Sequence, residues 1–296
     1  MSDDISLTFP AKPSLGNLYV CQREFPHKRA WRGQAAGAVE LKLPADHLAG
    51  LAFAATALAK QLLEYKDSIA KLASADLSTT TLNAGLLQAL FEITQLVEIR
   101  LDFLPLSGDV LTEFAGGHGL EHLVTLWLTG TSVSDKDLNA FQNLKAVQHL
   151  ALKSTPITNA AMETLATFAH LTHLHLPRQI NDQGLEALSK SKSLLELDLS
   201  YSAISDNGLA FVKNMPQLET LYVNDTAVSD KGLGHLKGHP GLKVLFLNGT
   251  KITDKGLDEL AAVPHLVHLE LRDTSATEIG AARVKSNLKD CAIFGP

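Results

Sequence analysis

From residue 123 onward, the apolar positions of this chain fall into one recurring frame. An aliphatic residue takes the first, fourth and sixth places, and more varied residues take the third and fifth. The frame reads LVTLWL from Leu123, VQHLAL from Val147, LTHLHL from Leu171 and LLELDL from Leu194. It continues as LETLYV from Leu218, LKVLFL from Leu242 and LVHLEL from Leu266. Successive frames start 24 residues apart, with one step of 23 between Leu171 and Leu194. Weaker copies lie upstream, LASADL from Leu72 and LVEIRL from Leu96, and LKDCAI from Leu288 predicts a last strand. Alternation of period two predicts a short strand with its fourth and sixth side chains on one face.

A second signature follows each frame, in forms such as TSVSDKDL, SAISDNGL, TAVSDKGL and TKITDKGL. Ser134, Thr158, Ser205, Ser229 and Thr253 stand where a helix N-cap is expected. Asp in the first turn suits the positive end of the helix dipole. Leu185 with Leu188, and Leu257 with Leu260, give the helix one apolar side. Neither a strand nor a helix of this size buries its apolar face alone, so the repeats must stack.

These residues resemble the leucine-rich repeat, L-x-x-L-x-L-x-x-[NC]-x-L, with Thr in the Asn or Cys place. The [ST]-D-x-G-L helix start is similar to that of the cysteine-containing subfamily of F-box proteins, and to bacterial repeat proteins with Thr-containing repeats. The N-terminal segment shows no F-box, so a ubiquitin-ligase role does not carry over. The resemblance implies an α/β fold: a right-handed solenoid, or horseshoe arc, with a concave parallel sheet and convex helices. Strands about 4.8 Å apart and helices about 10 Å apart make the strand side the shorter one. Residues 72–296 are expected to form about nine repeats and a capping strand. Residues 1–71 are expected to form a β-rich N-terminal cap, with strands at 16–20, 38–43 and LAGLAF, and a helix from 56 to about 70. HLAGLAFAATAL also fits a degenerate first repeat 24 residues before Leu72.

Composition narrows the classes. The chain has 296 residues, 45% hydrophobic and 20% charged, as an ordinary globular protein does. A net charge of -6 argues against nucleic acid as the partner. The two cysteines, Cys21 and Cys291, make neither a disulfide framework nor a zinc site. MSDDISLTFPAKPS lacks the basic and apolar regions of a secretory signal, and LAGLAFAATALAKQLL is too short to span a bilayer. The expectation is a cytoplasmic, bacterial-type protein, monomeric and not membrane-bound. No Walker, G-x-G-x-x-G, H-E-x-x-H or G-x-S-x-G motif is present, so neither a cofactor nor an enzymatic role is expected. The Thr column (Thr80, Thr131, Thr155, Ser202, Thr226, Thr250, Thr274) recurs as a framework does. Its hydroxyls are expected to satisfy loop backbone of adjacent repeats. Gly184, Gly208, Gly232 and Gly256 are read as close-packing positions between neighbouring helices.

The third and fifth places of each frame carry what varies, and they face the concave side. Tyr222 and Phe246 are neighbours there, with Tyr201 at the edge and Trp127 further along; exposed aromatics on a rigid sheet are hot-spot material. His149, His173 and His175 lie near Glu196 and Asp198. Acids (Asp76, Glu98, Asp102, Glu196, Asp198, Asp225, Glu270, Asp273) outnumber bases (Arg100, Lys153, Arg178, Arg272), which suits a basic or amphipathic partner. The expected function is non-enzymatic binding of a protein or peptide at Trp127, His149, His173, His175, Glu196, Asp198, Tyr201, Tyr222 and Phe246. One alternative is a metal-binding protein or metal-dependent enzyme centred on His149, His173 and His175. Another is a structural component of an assembly. The step of 23 removes the corner Thr and leaves Pro177, Arg178 and Gln179, which predicts an irregular strand exit there.

Overall fold

The structure, a computed structural model, describes residues 3–9, 16–22, 29–43, 47–54, 64–80, 86, 90, 96–106, 120–141 and 144–296. Contacts divide the chain into two units: 1–133 with 140–149, and 134–139 with 150–296. Strands and short helices alternate, so the fold is mixed α/β.

In the first unit, β1 (Asp3–Phe9) pairs antiparallel with β4 (Gly37–Leu43). β2 (Gly16–Gln22) pairs antiparallel with both β3 (Arg29–Gln34) and β5 (His47–Phe53). β5 then pairs in parallel with β6 (Ser74–Asp76), Gly50 against Ser74. That 24-residue offset is the pairing a degenerate first repeat would make, so β5 serves both the antiparallel segment and the repeat ladder. β7 (Glu98–Arg100) and β8 (Thr125–Trp127) extend the parallel ladder. Of the helix expected over 56–70, the described part is Lys66–Ile69; residues 55–63 lie outside the described residues. Ser68 Oγ in that helix accepts the Thr8 amide of β1 at 2.7 Å.

β9 (His149–Ala151) lies at the division between the units. In the second unit, β10 (His173–His175), β11 (Glu196–Asp198), β12 (Thr220–Tyr222), β13 (Val244–Phe246), β14 (His268–Glu270) and β15 (Ala292–Phe294) pair in parallel in that order. His268 pairs with Ala292, 24 residues on. The last strand therefore keeps the 24-residue pairing but starts two residues beyond the LKDCAI frame read from Leu288. The fourth- and sixth-place side chains, from Leu174 and Leu176 through Leu269 and Leu271, are fully buried. Each contributes about 1.5–3 kcal/mol by leaving water.

Polar side chains tie one repeat to the next. Asp206 Oδ1 and Oδ2 accept the Ser229 amide and hydroxyl, both at 2.7 Å. Asp135, Asp182, Asp230 and Asp254 hold Thr158, Ser205, Thr253 and Thr277 in the same way. The first-turn Asp thus bridges repeats as well as facing its own helix dipole. Thr158, Ser205 and Thr253 cap their helices as expected. Ser229 occupies the cap position without a side-chain cap bond, and the Ser134 hydroxyl donates to Asp137 at 2.7 Å instead.

The Thr column behaves differently from expectation. Thr226 Oγ1 donates to Val223 O at 2.7 Å, and Thr80, Thr131, Thr155, Thr250 and Thr274 repeat this bond to the carbonyl three residues back. Each hydroxyl closes the corner of its own repeat. At this corner the repeats are linked instead by backbone rungs such as Tyr201 N to Asn224 O, 2.8 Å, and by side chains such as Asn224, whose Oδ1 accepts the Asn248 amide at 2.9 Å.

Candidate partner-binding face

The third and fifth places of β10 to β15 lie side by side on one face of the ladder. One row runs His173, Glu196, Thr220, Val244, His268, Ala292; the next runs His175, Asp198, Tyr222, Phe246, Glu270, Phe294. Register alone sets these rows, because parallel strands a repeat apart present equivalent positions to one another. Through β14 these side chains are half-buried, while the intervening fourth-place residues are buried.

Tyr222 and Phe246 stack face to face, ring centroids 4.2 Å apart and planes 10° apart. The His268 ring follows at 5.2 Å from Phe246, and Phe294 at 4.8 Å from His268. Four rings on four strands thus make one continuous strip. Tyr222 and Phe246 belong to the contact set expected from the sequence; His268 and Phe294 do not. His268 was visible in the third place; Phe294 was masked by the two-residue error in the final frame. Phe294 is 42% exposed.

Carboxylates flank the strip. His175 Nε2 meets Glu196 Oε1 at 3.1 Å, and Lys153 Nζ donates to Asp198 Oδ1 at 2.9 Å. Glu270 accepts from Asn248 Nδ2 at 2.9 Å and meets His268 Nε2 at 3.4 Å. Burial, then Glu196, Asp198 and Glu270, push the Tyr222 phenol up to about 12, so it stays a neutral donor. Burial lowers the His173 pKa; Glu196 opposes this and His175 adds to it. His173 Nδ1 also lies 2.8 Å from Thr172 Oγ1.

Of the expected contact residues, His173, His175, Glu196, Asp198, Tyr222 and Phe246 share this face. Tyr201 stands at its edge with φ 66°, in the left-handed region, and is 66% exposed. An aromatic residue there is conformationally costly. Tyr201 makes no ring contact with the strip. Trp127 and His149 belong to the first unit.

The acid-rich reading changes most in the first unit. Asp76, Glu98 and Asp102 are buried there and do not contribute to an open face. Arg29 of β3 pairs with Asp76, and its guanidinium lies 4.1 Å from the centroid of the Tyr19 ring. Arg100 lies over Trp127 at 4.3 Å, with Asp102 3.4 Å and Glu98 3.9 Å from its nitrogens. Trp127 Nε1 donates to Glu98 Oε1 at 2.8 Å. Trp127 is therefore held inside a network. Sequence spacing could not show this, because β2 and β3 supply Tyr19 and Arg29 from outside the repeat.

Among the described residues, no three His, Cys, Asp or Glu side chains are arranged to hold a metal ion. No helix among them is long and apolar enough to cross a membrane. Among known families, the sequence model described as Leucine Rich repeat matches residues 190–212, which span the frame from Leu194 and the helix Asp206–Leu209. The search of curated proteins finds no match.

Proposed function

The chain is a leucine-rich-repeat protein, and on that premise we propose that it is a non-enzymatic interaction module holding a protein or peptide on the strand face of β10 to β14. Repeats of this family typically bind protein partners and typically lack enzymatic activity. The observation that carries the reading is the Tyr222–Phe246 stack, continued by His268 and Phe294 on a rigid ladder. Half-buried aromatic groups lose little entropy on binding and bury large areas, so they anchor interfaces. Tyr201, His173, His175, Glu196 and Asp198 complete the contact set on this unit. The reading includes a right-handed arc with this face concave, residues 1–71 as its cap and 72–296 as its solenoid. It also includes a monomeric, cytoplasmic protein of bacterial type that takes neither cofactor nor nucleic acid. The metal-site and assembly alternatives have no comparable observation behind them.

The test is capture of partners from a native lysate by the full chain and by Tyr222→Ala/Phe246→Ala. We expect specific partners to be lost from the variant while its thermal melt stays cooperative. An unchanged partner profile would refute the site.

A further inference from the structure

The seventh place of a frame, just past its strand, usually reaches forward to the next repeat. Asp102 Oδ1 accepts the Thr129 amide at 2.7 Å. Asn224 Oδ1 accepts the Asn248 amide at 2.9 Å, and Asn248 Oδ1 accepts the Arg272 amide at 2.8 Å. In each case a short side chain takes the amide of the next seventh place. The eighth place adds a backbone rung in the same direction. Phe103 N donates to Thr129 O at 2.7 Å, Tyr201 N to Asn224 O at 2.8 Å and Gly249 N to Arg272 O at 2.9 Å.

Lys153 holds the seventh place of the frame from Val147, and the next seventh place is Pro177. Proline has no amide to give, so a short acceptor at position 153 would find nothing there. The repeat of Pro177 is also the shortened one, and it lacks its own eighth-place rung. Among the described residues no backbone amide reaches Ser200 O, the carbonyl that this rung would serve. One side chain answers both defects. Lys153 Nζ passes over the shortened repeat and donates to Ser200 O at 3.1 Å and to Asp198 Oδ1 at 2.9 Å. Asp198 Oδ1 in turn accepts the Ser200 amide at 2.8 Å. Ser200 is buried, where a carbonyl without a donor is costly. The span is two repeats, which the four-carbon stem of lysine covers and a short Asn or Asp side chain does not.

We propose that Lys153 is a positioning residue, a strap across the shortened repeat that fixes Asp198 and the corner from Ser200 to Ser202, and with it the exposed Tyr201. Tyr201 takes φ 66°, a conformation that persists only where its surroundings hold it. The rung to Asn224 O holds it from one side, and the strap holds the Ser200 carbonyl that precedes it. Two residues of the candidate contact set, Asp198 and Tyr201, thus depend on a side chain two repeats away that is not in that set. Their part in binding rests on the partner-binding reading above; the strap does not.

The test is amide hydrogen exchange, resolved by residue, on the full chain. Lys153→Met keeps the length of the side chain and removes its charge and donors. It should speed exchange of the Ser200, Tyr201 and Ser202 amides about tenfold, as loss of a charged hydrogen bond implies. The Asp225 and Thr226 amides, at the matching corner of the next repeat, should keep their wild-type rates, which also reports that the variant is folded. Lys153→Arg, which keeps the charge and donors, should stay close to wild type. Unchanged exchange at 200–202 in Lys153→Met would overturn the strap. So would equal acceleration at both corners, which would mark Lys153 as a general stabiliser, or an arginine variant that behaves as the methionine one does. None of these outcomes touches the partner-binding reading, which the lysate capture judges by itself.

Discussion

A methyl group at Gly208 would sit 2.4 Å from Asp182 Oδ1, the oxygen that accepts the Ser205 amide. Gly184, Gly232, Gly256 and Gly280 stand in the same relation to Asn159, Asp206, Asp230 and Asp254. The D-x-G-L signature is thus two halves of one contact: the Asp of one repeat reaches the next, and the Gly of that next repeat leaves room for it. Alanine in an exposed helix normally stabilises by about 1 kcal/mol over glycine. Here Gly208→Ala should destabilise by about 1–3 kcal/mol, because the bridge must move and a backbone donor loses its partner. Urea denaturation of the variant beside wild type measures it, and a higher midpoint for the variant would contradict the bridge. Ser202 shows the cost of a residue change within a column. Its buried hydroxyl has no hydrogen-bond partner, whereas the Thr226 hydroxyl bonds Val223 O at 2.7 Å.

At the scale of one element, the strand exit after β10 departs from its neighbours as the missing residue predicts. Phe103, Ser154, Tyr201, Asp225 and Asp273 take left-handed φ at this corner, as do Gly130 and Gly249. The β10 exit has no such residue, and among the described residues no rung comparable to Tyr201 N to Asn224 O leaves Arg178. Gln179 compensates by reaching backwards, Nε2 donating to Thr155 O and Ile157 O, both at 2.6 Å. The helix beyond then resumes its place, with Asn181 bridged to Ala203. Gln179→Ala should cost about 1 kcal/mol or more, since both carbonyls lose a donor. It should also speed amide exchange around 178–181 relative to the matching 201–205 segment. Equal exchange in the variant and wild type would show that the glutamine is not the local tie.

For the molecule as a whole, acid is the informative variable. Burial lowers the pKa of His239, moderated by the nearby carbonyls of Val212 and Met215, and it lowers that of His173. His239 Nδ1 accepts the Gly241 and Leu242 amides at 3.3 and 3.1 Å, contacts that a proton on that nitrogen would abolish. Both groups bind protons less readily folded than unfolded. Their contribution to stability is therefore full above the ordinary histidine value of about 6.5 and is lost as pH falls through the depressed folded values. Tm should fall between pH 7.5 and pH 5.5, and a smaller fall is expected for His239→Gln. A Tm that is flat or rising toward pH 5.5 would contradict this. Asp102, pushed up by burial, acts in the opposite sense but only nearer the carboxylate range.

The same whole-molecule view separates what each source of information decided. The 24-residue frame by itself determined the buried leucines, the strand centres, most helix starts and which side chains share a face. Those follow from chain geometry, because every repeat repeats one local periodicity and parallel stacking turns equal spacing into spatial adjacency. The outcome of each contact was decided by tertiary structure. Whether Trp127 is an open anchor or lies under Arg100, whether Glu98 is a surface acid or a buried acceptor, and whether His268 and Phe294 join the strip all depend on partners outside the frame. Tyr19 and Arg29 arrive from antiparallel strands with no repeat signature, and Phe294 arrives through a last strand that pairs two residues beyond its sequence frame. Periodicity specifies positions along the chain; the energies of buried polar and aromatic groups are set by neighbours that only the folded chain brings close.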